Sequence, residues 1–174
     1  SVFLLGEANF KVKPDKKRPF IVKSNDLQIT ALGTEFNVSA YPESQEIATT
    51  LISGSIRVAY NNLTTSVILH PNEQFAYNRN NKKYDLSNPD MDDVTAWQRG
   101  ELVLQKMTLT DIINVLERKY PYAFVYSIKN LKNDRFSFRF KDNAPLEEVM
   151  EIIVNVVGQM DYRIVEDKCY LTRI

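Results

Sequence analysis

The sequence TALGTEFNVSAY, residues 30–41, decides the fold of the first half of this chain. Phe36, Val38 and Ala40 alternate with polar residues, which places one face of a strand in a core and the other in water. Gly33 interrupts the pattern, and a glycine inside a strand marks a bulge or a close approach of backbone. We therefore predict one kinked strand over residues 27–41.

The same period of two extends on both sides of this stretch. Further strands are predicted at 8–12, 20–23, 47–53, 55–60, 66–70 and 74–78, separated by turns rich in Pro, Asn and Asp. Short strands with one apolar face need a second sheet to cover them. We predict an all-β domain over residues 1–84, either a jelly-roll or a β-solenoid-like sandwich, and the pattern alone does not choose between these topologies.

A polar, acidic segment follows the predicted strands. Residues 85–93 read DLSNPDMDD, which contains four aspartates and one proline. Such a composition is typical of a connection between domains. We predict a linker over residues 85–96.

An internal repeat occupies the remainder, 97–174. The first copy has apolar residues at helical spacing, and the second copy repeats each of them 37 positions later: Leu109, Ile112, Ile113, Leu116 and Tyr120, then Leu146, Val149, Met150, Ile153 and Val157. Predicted strands flank each helix. We predict an α+β domain built from two βαβ repeats, with both helices on one face of a single shared sheet.

The ends of the two helices carry the expected signals. Thr108 is a predicted N-cap with Asp111 three residues later, and Pro121 ends the first helix. Pro145 suits the first turn of the second helix, and Gly158 is placed to end it.

Composition excludes several functional classes. Lys plus Arg and Asp plus Glu number 22 each, so the chain has no basic field for a nucleic acid or an anionic membrane surface. His70 is the only histidine and Cys169 the only cysteine, and nothing is spaced with either to bind a metal. We predict no catalytic, cofactor or metal site, and thus no enzyme.

Two aromatic features have competing interpretations. Phe136, Phe138 and Phe140 alternate with polar residues, which suits either a stacking platform for nucleic-acid bases or the core face of a strand. The balanced charge favours the core. Trp97 follows the acidic segment, so we interpret it first as a side chain packed between the domains and second as a partner contact.

Five segments carry recognisable motifs: GEANFKV at 6–12, RPFIV at 18–22, LGTEFNV at 32–38, TLISGSI at 50–56 and LHPNEQ at 69–74. Together they resemble the FecR family of periplasmic anti-sigma regulators. LGTEFNV is similar to the specific signature LGTxFNV of that family, whereas Asn72 stands where the family usually has glycine. Residues 97–174 resemble the C-terminal domain of these proteins, which is related to the short N-terminal domain of secretins and TonB-dependent receptors.

The resemblance implies a role in signal relay. In this family, the signalling domain of an outer-membrane TonB-dependent receptor contacts the periplasmic part of the regulator, which then frees an extracytoplasmic-function sigma factor. The family binds the sigma factor through a cytoplasmic segment and is anchored in the inner membrane by one helix, and both are expected upstream of Ser1. Such a role needs a protein-binding surface and no cofactor.

We predict that the partner binds the repeat domain, or a groove between the domains, and that an open sheet edge accepts a partner strand. The candidate contact residues are Trp97, Tyr122, Phe124, Tyr126, Tyr170, Thr172 and Arg173. The alternative function is a β-rich carbohydrate-binding or adhesion module, which exposed rings at Tyr41, Tyr60 and Tyr77 would favour.

Overall fold

The computed structural model describes residues 1–126 and 134–174. It divides into two compact units, Ser1–Thr95 and Ala96–Ile174, which are described separately. Strands account for most of the regular structure, so the predicted β-rich fold is confirmed.

The first unit contains two five-stranded sheets. One sheet has the order β1 (Val2–Phe3), β3 (Phe20–Lys23), β4 (Gln28–Ala31), β7 (Ile56–Tyr60) and β8 (Thr65–Leu69). The other has the order β10 (Tyr84–Ser87), β9 (Gln74–Asn78), β6 (Glu46–Ser53), β5 (Glu35–Ala40) and β2 (Gly6–Lys11). All pairs are antiparallel except β1 with β3.

One hydrophobic core lies between these sheets. Val22, Ile29 and Val58 from the first sheet and Phe36 and Phe75 from the second are all fully buried in the same cluster. Because the central strands of both sheets contribute alternate residues to this core, the unit is a β-sandwich.

The predicted strand over 27–41 is two strands. The chain leaves the first sheet after Ala31 and enters the second at Glu35, so residues 32–34 form the crossing. Gly33 has a φ of +110°, a backbone conformation that residues other than glycine rarely adopt. The kink that the glycine predicted is therefore a change of sheet.

The predicted linker over 85–96 contains regular structure. Strand β10 extends the second sheet by pairing antiparallel with β9, and the Tyr84 ring stacks on Phe75 with their centroids 4.7 Å apart. A short helix α1 (Met91–Thr95) follows β10, and a 3-10 turn (Ala96–Arg99) begins the second unit. The acidic composition concealed a strand that pairs with β9 along its whole length.

The second unit has its elements in the predicted order. They are β11 (Leu102–Met107), α2 (Leu109–Lys119), β12 (Ala123–Tyr126), β13 (Phe136–Phe140), α3 (Leu146–Val157), β14 (Met160–Val165) and β15 (Lys168–Arg173). The Thr108 side chain accepts a hydrogen bond from the Asp111 backbone N–H at the start of α2, and Gly158 ends α3.

The pairing of these strands differs from the predicted single sheet. Strand β11 pairs with β13 in a two-stranded sheet, and a separate three-stranded sheet has the order β12–β15–β14. The first and last strands of each half therefore lie in different sheets. Both helices and both sheets contribute to one core, which includes Ile112, Phe138, Val149 and Leu171. This arrangement buries the same apolar positions as a single sheet would, so the periodicity of the sequence does not distinguish them.

Candidate partner-binding surface

The structure brings most of the predicted contact residues onto two neighbouring strands. Strands β12 and β15 run parallel, with Val125 opposite Tyr170 and Phe124 opposite Cys169. Tyr126 is 40% exposed at the end of β12, and Thr172 and Arg173 are exposed on β15. Tyr122 lies just before β12 and is partly buried. Trp97, also 40% exposed, lies on neither strand.

The Phe124 side chain is not part of any surface. It is 8% exposed and packs in the core of the second unit, as Cys169 and Leu171 do on the adjacent strand. Alternation puts these three residues on the face that the helices cover. Their neighbours in the sequence therefore point to the opposite, open face.

Strand β15 does not provide a sheet edge. It is the central strand of its sheet, with β12 on one side and β14 on the other. Tyr170, Thr172 and Arg173 can therefore contact a partner through their side chains but not by strand pairing, because a backbone paired on both sides has no free donors or acceptors. Among residues 1–126 and 134–174, the edge beside Tyr170 that no strand pairs with belongs to β12.

The outward backbone groups of β12 can be assigned from its pairing. The Ala123 N–H donates to the Asp167 carbonyl at 2.9 Å, so Ala123 and Val125 point their N–H and C=O groups toward β15. Phe124 and Tyr126 consequently point theirs toward the open edge. The Phe124 N–H donates to Glu117 Oε1 of α2 at 2.9 Å. A side-chain carboxylate thus occupies the place that an incoming strand would take.

The open face of this sheet is partly apolar and carries a cation. Val125, Tyr170 and Arg163 form one row across the three strands, and the Arg163 guanidinium lies 5.5 Å from the centroid of the Tyr170 ring. Val165 extends the apolar part on β14. Sequence reasoning missed Val125, Arg163 and Val165, although the alternation against Phe124 and Cys169 was a signal that pointed to them.

Cys169 is a core residue beneath this face. Burial, with a smaller contribution from the Glu147 carboxylate, raises the pKa of its thiol to about 11. At pH 8 a thiol with this pKa has about 100-fold less thiolate than an ordinary cysteine.

We therefore expect Cys169 to react with an aromatic disulfide reagent at pH 8 at least about 100-fold more slowly in the folded protein than in urea. Absorbance of the released thiol measures both rates. Equal rates would contradict the position of Cys169 in the core. The unfolded protein is the control because it contains the same single thiol.

The family-like segments of the first unit have structural roles. The Asn37 side chain donates to Glu7 Oε1 at 2.9 Å, which joins the GEANFKV and LGTEFNV segments across β2 and β5. A Cβ at Gly54 would lie 2.7 Å from Thr34 Cγ2, so a glycine is required where TLISGSI approaches the crossing. These contacts hold the sandwich together.

The other sequence candidates also have local explanations. The backbone N–H of His70 donates to Glu73 Oε2 at 2.8 Å in a turn. Among residues 1–126 and 134–174, no group of three or more His, Cys, Asp or Glu side chains is arranged to hold a metal ion. Phe138 and Phe140 are core residues. Tyr60 and Tyr77 are buried and Tyr41 is partly buried, which counts against a carbohydrate-binding platform.

Comparison with known proteins identifies the chain. Residues 2–57 match the family model described as FecR protein, and residues 101–171 match the model described as FecR, C-terminal. Two crystal structures of a proposed anti-sigma factor from Parabacteroides distasonis ATCC 8503, at 1.65 and 2.50 Å resolution, are similar to this chain with a TM-score of 0.89. The sequence of that protein is 31% identical to this one. The alignment covers 99% of this chain and 80% of that one. No curated protein sequence gave a match.

These matches and the fold together show that the chain is a β-rich regulatory protein. The chain belongs to the FecR family of anti-sigma factors. This family is one of regulators, and membership implies interaction with a sigma factor. In the described part of the chain, no helix has the length and hydrophobicity needed to cross a membrane.

Proposed function

We propose that this chain is the periplasmic signalling region of a transmembrane anti-sigma factor. It receives a signal from the N-terminal signalling domain of an outer-membrane TonB-dependent receptor. The signal passes to an extracytoplasmic-function sigma factor, which is bound by a cytoplasmic segment outside these residues. An upstream helix anchors the protein in the inner membrane.

The open edge of β12 is the observation that supports this proposal most. Its outward backbone groups, at Phe124 and Tyr126, can pair with an extended strand of the partner. Main-chain hydrogen bonds of this kind supply affinity, and neighbouring side chains supply specificity. Val125 and Tyr170 lie beside the edge on the open face, so they are placed to contact the partner at the same time.

Glu117 makes the edge selective. Its carboxylate already accepts a hydrogen bond from the Phe124 N–H, so an incoming strand must displace it. A charged side chain at a sheet edge is a common protection against nonspecific pairing. The displaced carboxylate loses its hydrogen bond to the Phe124 N–H. A partner with a basic residue opposite Glu117 replaces that bond with an ion pair, whereas an unrelated strand does not.

Binding of the receptor signalling domain to the full 174-residue chain tests the proposal. We expect Tyr126→Pro to weaken binding at least about tenfold in calorimetry, because proline removes an outward N–H and its ring obstructs a paired strand. Tyr126→Thr is the matched control, since it removes the ring but keeps the N–H, and we expect a smaller loss. Proline is tolerated at an edge position whose N–H faces solvent, and circular dichroism checks the fold.

Two results would contradict this account. One is the absence of binding by the unmodified chain at high micromolar concentration. The other is equal affinity of Tyr126→Pro and the unmodified chain, which would show that the partner does not pair with β12. We also expect Glu117→Ala to bind unrelated extended peptides more tightly than the unmodified chain does, because the carboxylate that protects the edge is absent.

A further inference from the structure

A second surface, on the first unit, is formed beside the crossing between the two sheets. It is an open groove with a volume of about 480 Å³. The outer face of β4, β7 and β8 provides its floor, and the loop before β3 provides one wall. Lys16, Thr30, Leu32, Arg57 and Ile68 line it. None of the proposed receptor contacts lies in this unit.

Arg57 lies in the middle of the groove floor. The strand register places it opposite Thr30 on one side and Ile68 on the other. Within the described part of the chain, neither the Arg57 guanidinium nor the Lys16 ammonium makes an ion pair or a side-chain hydrogen bond. An arginine at the centre of a sheet face thus keeps all of its side-chain donors available.

The described residues that line the groove include no carboxylate to compensate these charges. The outward-facing positions of the four paired strands are Ile21, Lys23, Gln28, Thr30, Arg57, Ala59, Ser66 and Ile68. The acidic residues that neighbour the groove in the sequence are engaged elsewhere. Asp15 accepts from Arg18 at 2.8 Å, Asp26 pairs with Arg79 and Lys82, and Glu35 pairs with Lys11. The groove is therefore locally cationic on a chain whose formal net charge is zero.

Two exposed aliphatic side chains flank the cation. Leu32 is 50% exposed and Ile68 is 52% exposed, and both line the groove with Arg57. A ligand that fits this arrangement has an anionic group and an apolar group on one extended segment. A guanidinium binds a carboxylate through two parallel hydrogen bonds, and leucine and isoleucine favour an apolar side chain.

We propose that this groove binds an extended acidic segment of a partner protein. A carboxylate of the segment binds Arg57, with Lys16 nearby at the rim. An adjacent apolar side chain lies against Leu32 and Ile68. A nucleic acid or another polyphosphate chain fits less well. Binding of such a chain relies on neutralising many phosphates, whereas two cations line this groove. The proposal does not depend on receptor binding by the second unit.

An array of heptapeptides tests this inference. Each peptide combines Asp or Glu with Leu, Ile or Val at adjacent positions, and a matched set has Lys or Arg in place of the acids. We expect the full chain to bind peptides of the acidic set only. Fluorescence anisotropy with the best labelled acidic peptide then measures affinity, and we expect Arg57→Gln to weaken it about tenfold or more.

Matched variants separate the groove from general effects of charge and hydrophobicity. Lys83→Gln removes an equal charge outside the groove, and Leu86→Thr removes an equally exposed leucine on the other sheet, and both are expected to leave binding unchanged. Ile68→Thr is expected to weaken it. Thermal unfolding shows whether each variant is folded.

Three outcomes would overturn the proposal. In the first, the chain binds no acidic peptide. In the second, it binds basic peptides as well as acidic ones. In the third, Arg57→Gln binds the acidic peptide as tightly as the unmodified chain does. Vesicles of phosphatidylglycerol are the remaining probe: Arg57-dependent binding to vesicles without any peptide binding would assign the groove to an anionic lipid surface instead. Receptor binding is measured in the same preparation, so failure of one proposal does not count against the other.

Discussion

Replacement of Gly33 by alanine is expected to lower the free energy of unfolding of the sandwich by about 4 kcal/mol or more. Two costs combine at this position. The φ of +110° disfavours any side chain, and a Cβ would lie 2.6 Å from Pro14 Cα, which is backbone and cannot rotate away. Urea denaturation of the full chain, followed by far-ultraviolet circular dichroism, measures the change.

Gly6→Ala is the matched control for this prediction. Gly6 lies in the same sandwich with a similar φ of +119°, but the nearest atom to its added Cβ, Tyr41 Cε1, is 3.8 Å away. Its cost is therefore the conformational part alone, about 1 to 3 kcal/mol. Equal losses for the two variants would show that the close approach of Pro14 contributes nothing.

Arg79→Ala is expected to destabilise the same unit by about 3 kcal/mol. Arg79 Nη1 donates to the backbone carbonyls of Tyr41, Pro42 and Ser44 at 3.2, 2.9 and 3.1 Å, and its side chain is only 16% exposed. Its Nε also lies 3.4 Å from Asp26 Oδ2. Alanine would remove the donor that these three carbonyls share, and the Tyr41 carbonyl would keep only the Ser44 backbone N–H, at 3.1 Å. Thermal and urea unfolding both measure this loss.

Lys82→Ala tests whether the ion pair or the carbonyl contacts dominate. Lys82 Nζ also pairs with Asp26, at 3.2 Å, but its side chain is 58% exposed. An exposed pair contributes about 1 kcal/mol or less, so Lys82→Ala should change stability little. A loss for Lys82→Ala as large as that for Arg79→Ala would refute the assignment of Arg79 to the turn.

Local features of the sequence were predicted well. The caps of the helices depend on residues three or four positions apart, and Thr108 with Asp111 and Gly158 are placed as predicted. The buried residues of both helices follow the same rule. Such features are set by neighbours in the sequence, which the pattern of residue types contains directly.

Features that depend on distant pairing were not predicted. Nothing near Leu102 or Phe140 indicates that β11 pairs with β13 rather than with β12, because both arrangements bury the same alternate residues. The hydrogen bond between Glu117 and the Phe124 N–H likewise requires the loop geometry between α2 and β12. The sequence also does not show which face of β12 the helices cover, so it did not reveal that the Phe124 side chain lies in the core while its backbone N–H points to the open edge.

The signature segment of the family serves the fold rather than a partner. LGTEFNV supplies the crossing at Gly33, core residues at Phe36 and Val38, and the Asn37 bond to Glu7. Leu32 is the most exposed residue of this segment, and its side chain lines the cationic groove. A recognisable segment therefore identifies the family without locating the receptor contact.

Amide hydrogen exchange at β12 tests the central claim most directly, since that claim is that the chain acts through contact of a folded surface with another protein. The full chain is compared with and without the receptor signalling domain, with the amides resolved by nuclear magnetic resonance. We predict that the Tyr126 amide, which faces the open edge, becomes protected in the complex. Unchanged exchange throughout the chain at saturating receptor domain would contradict the account.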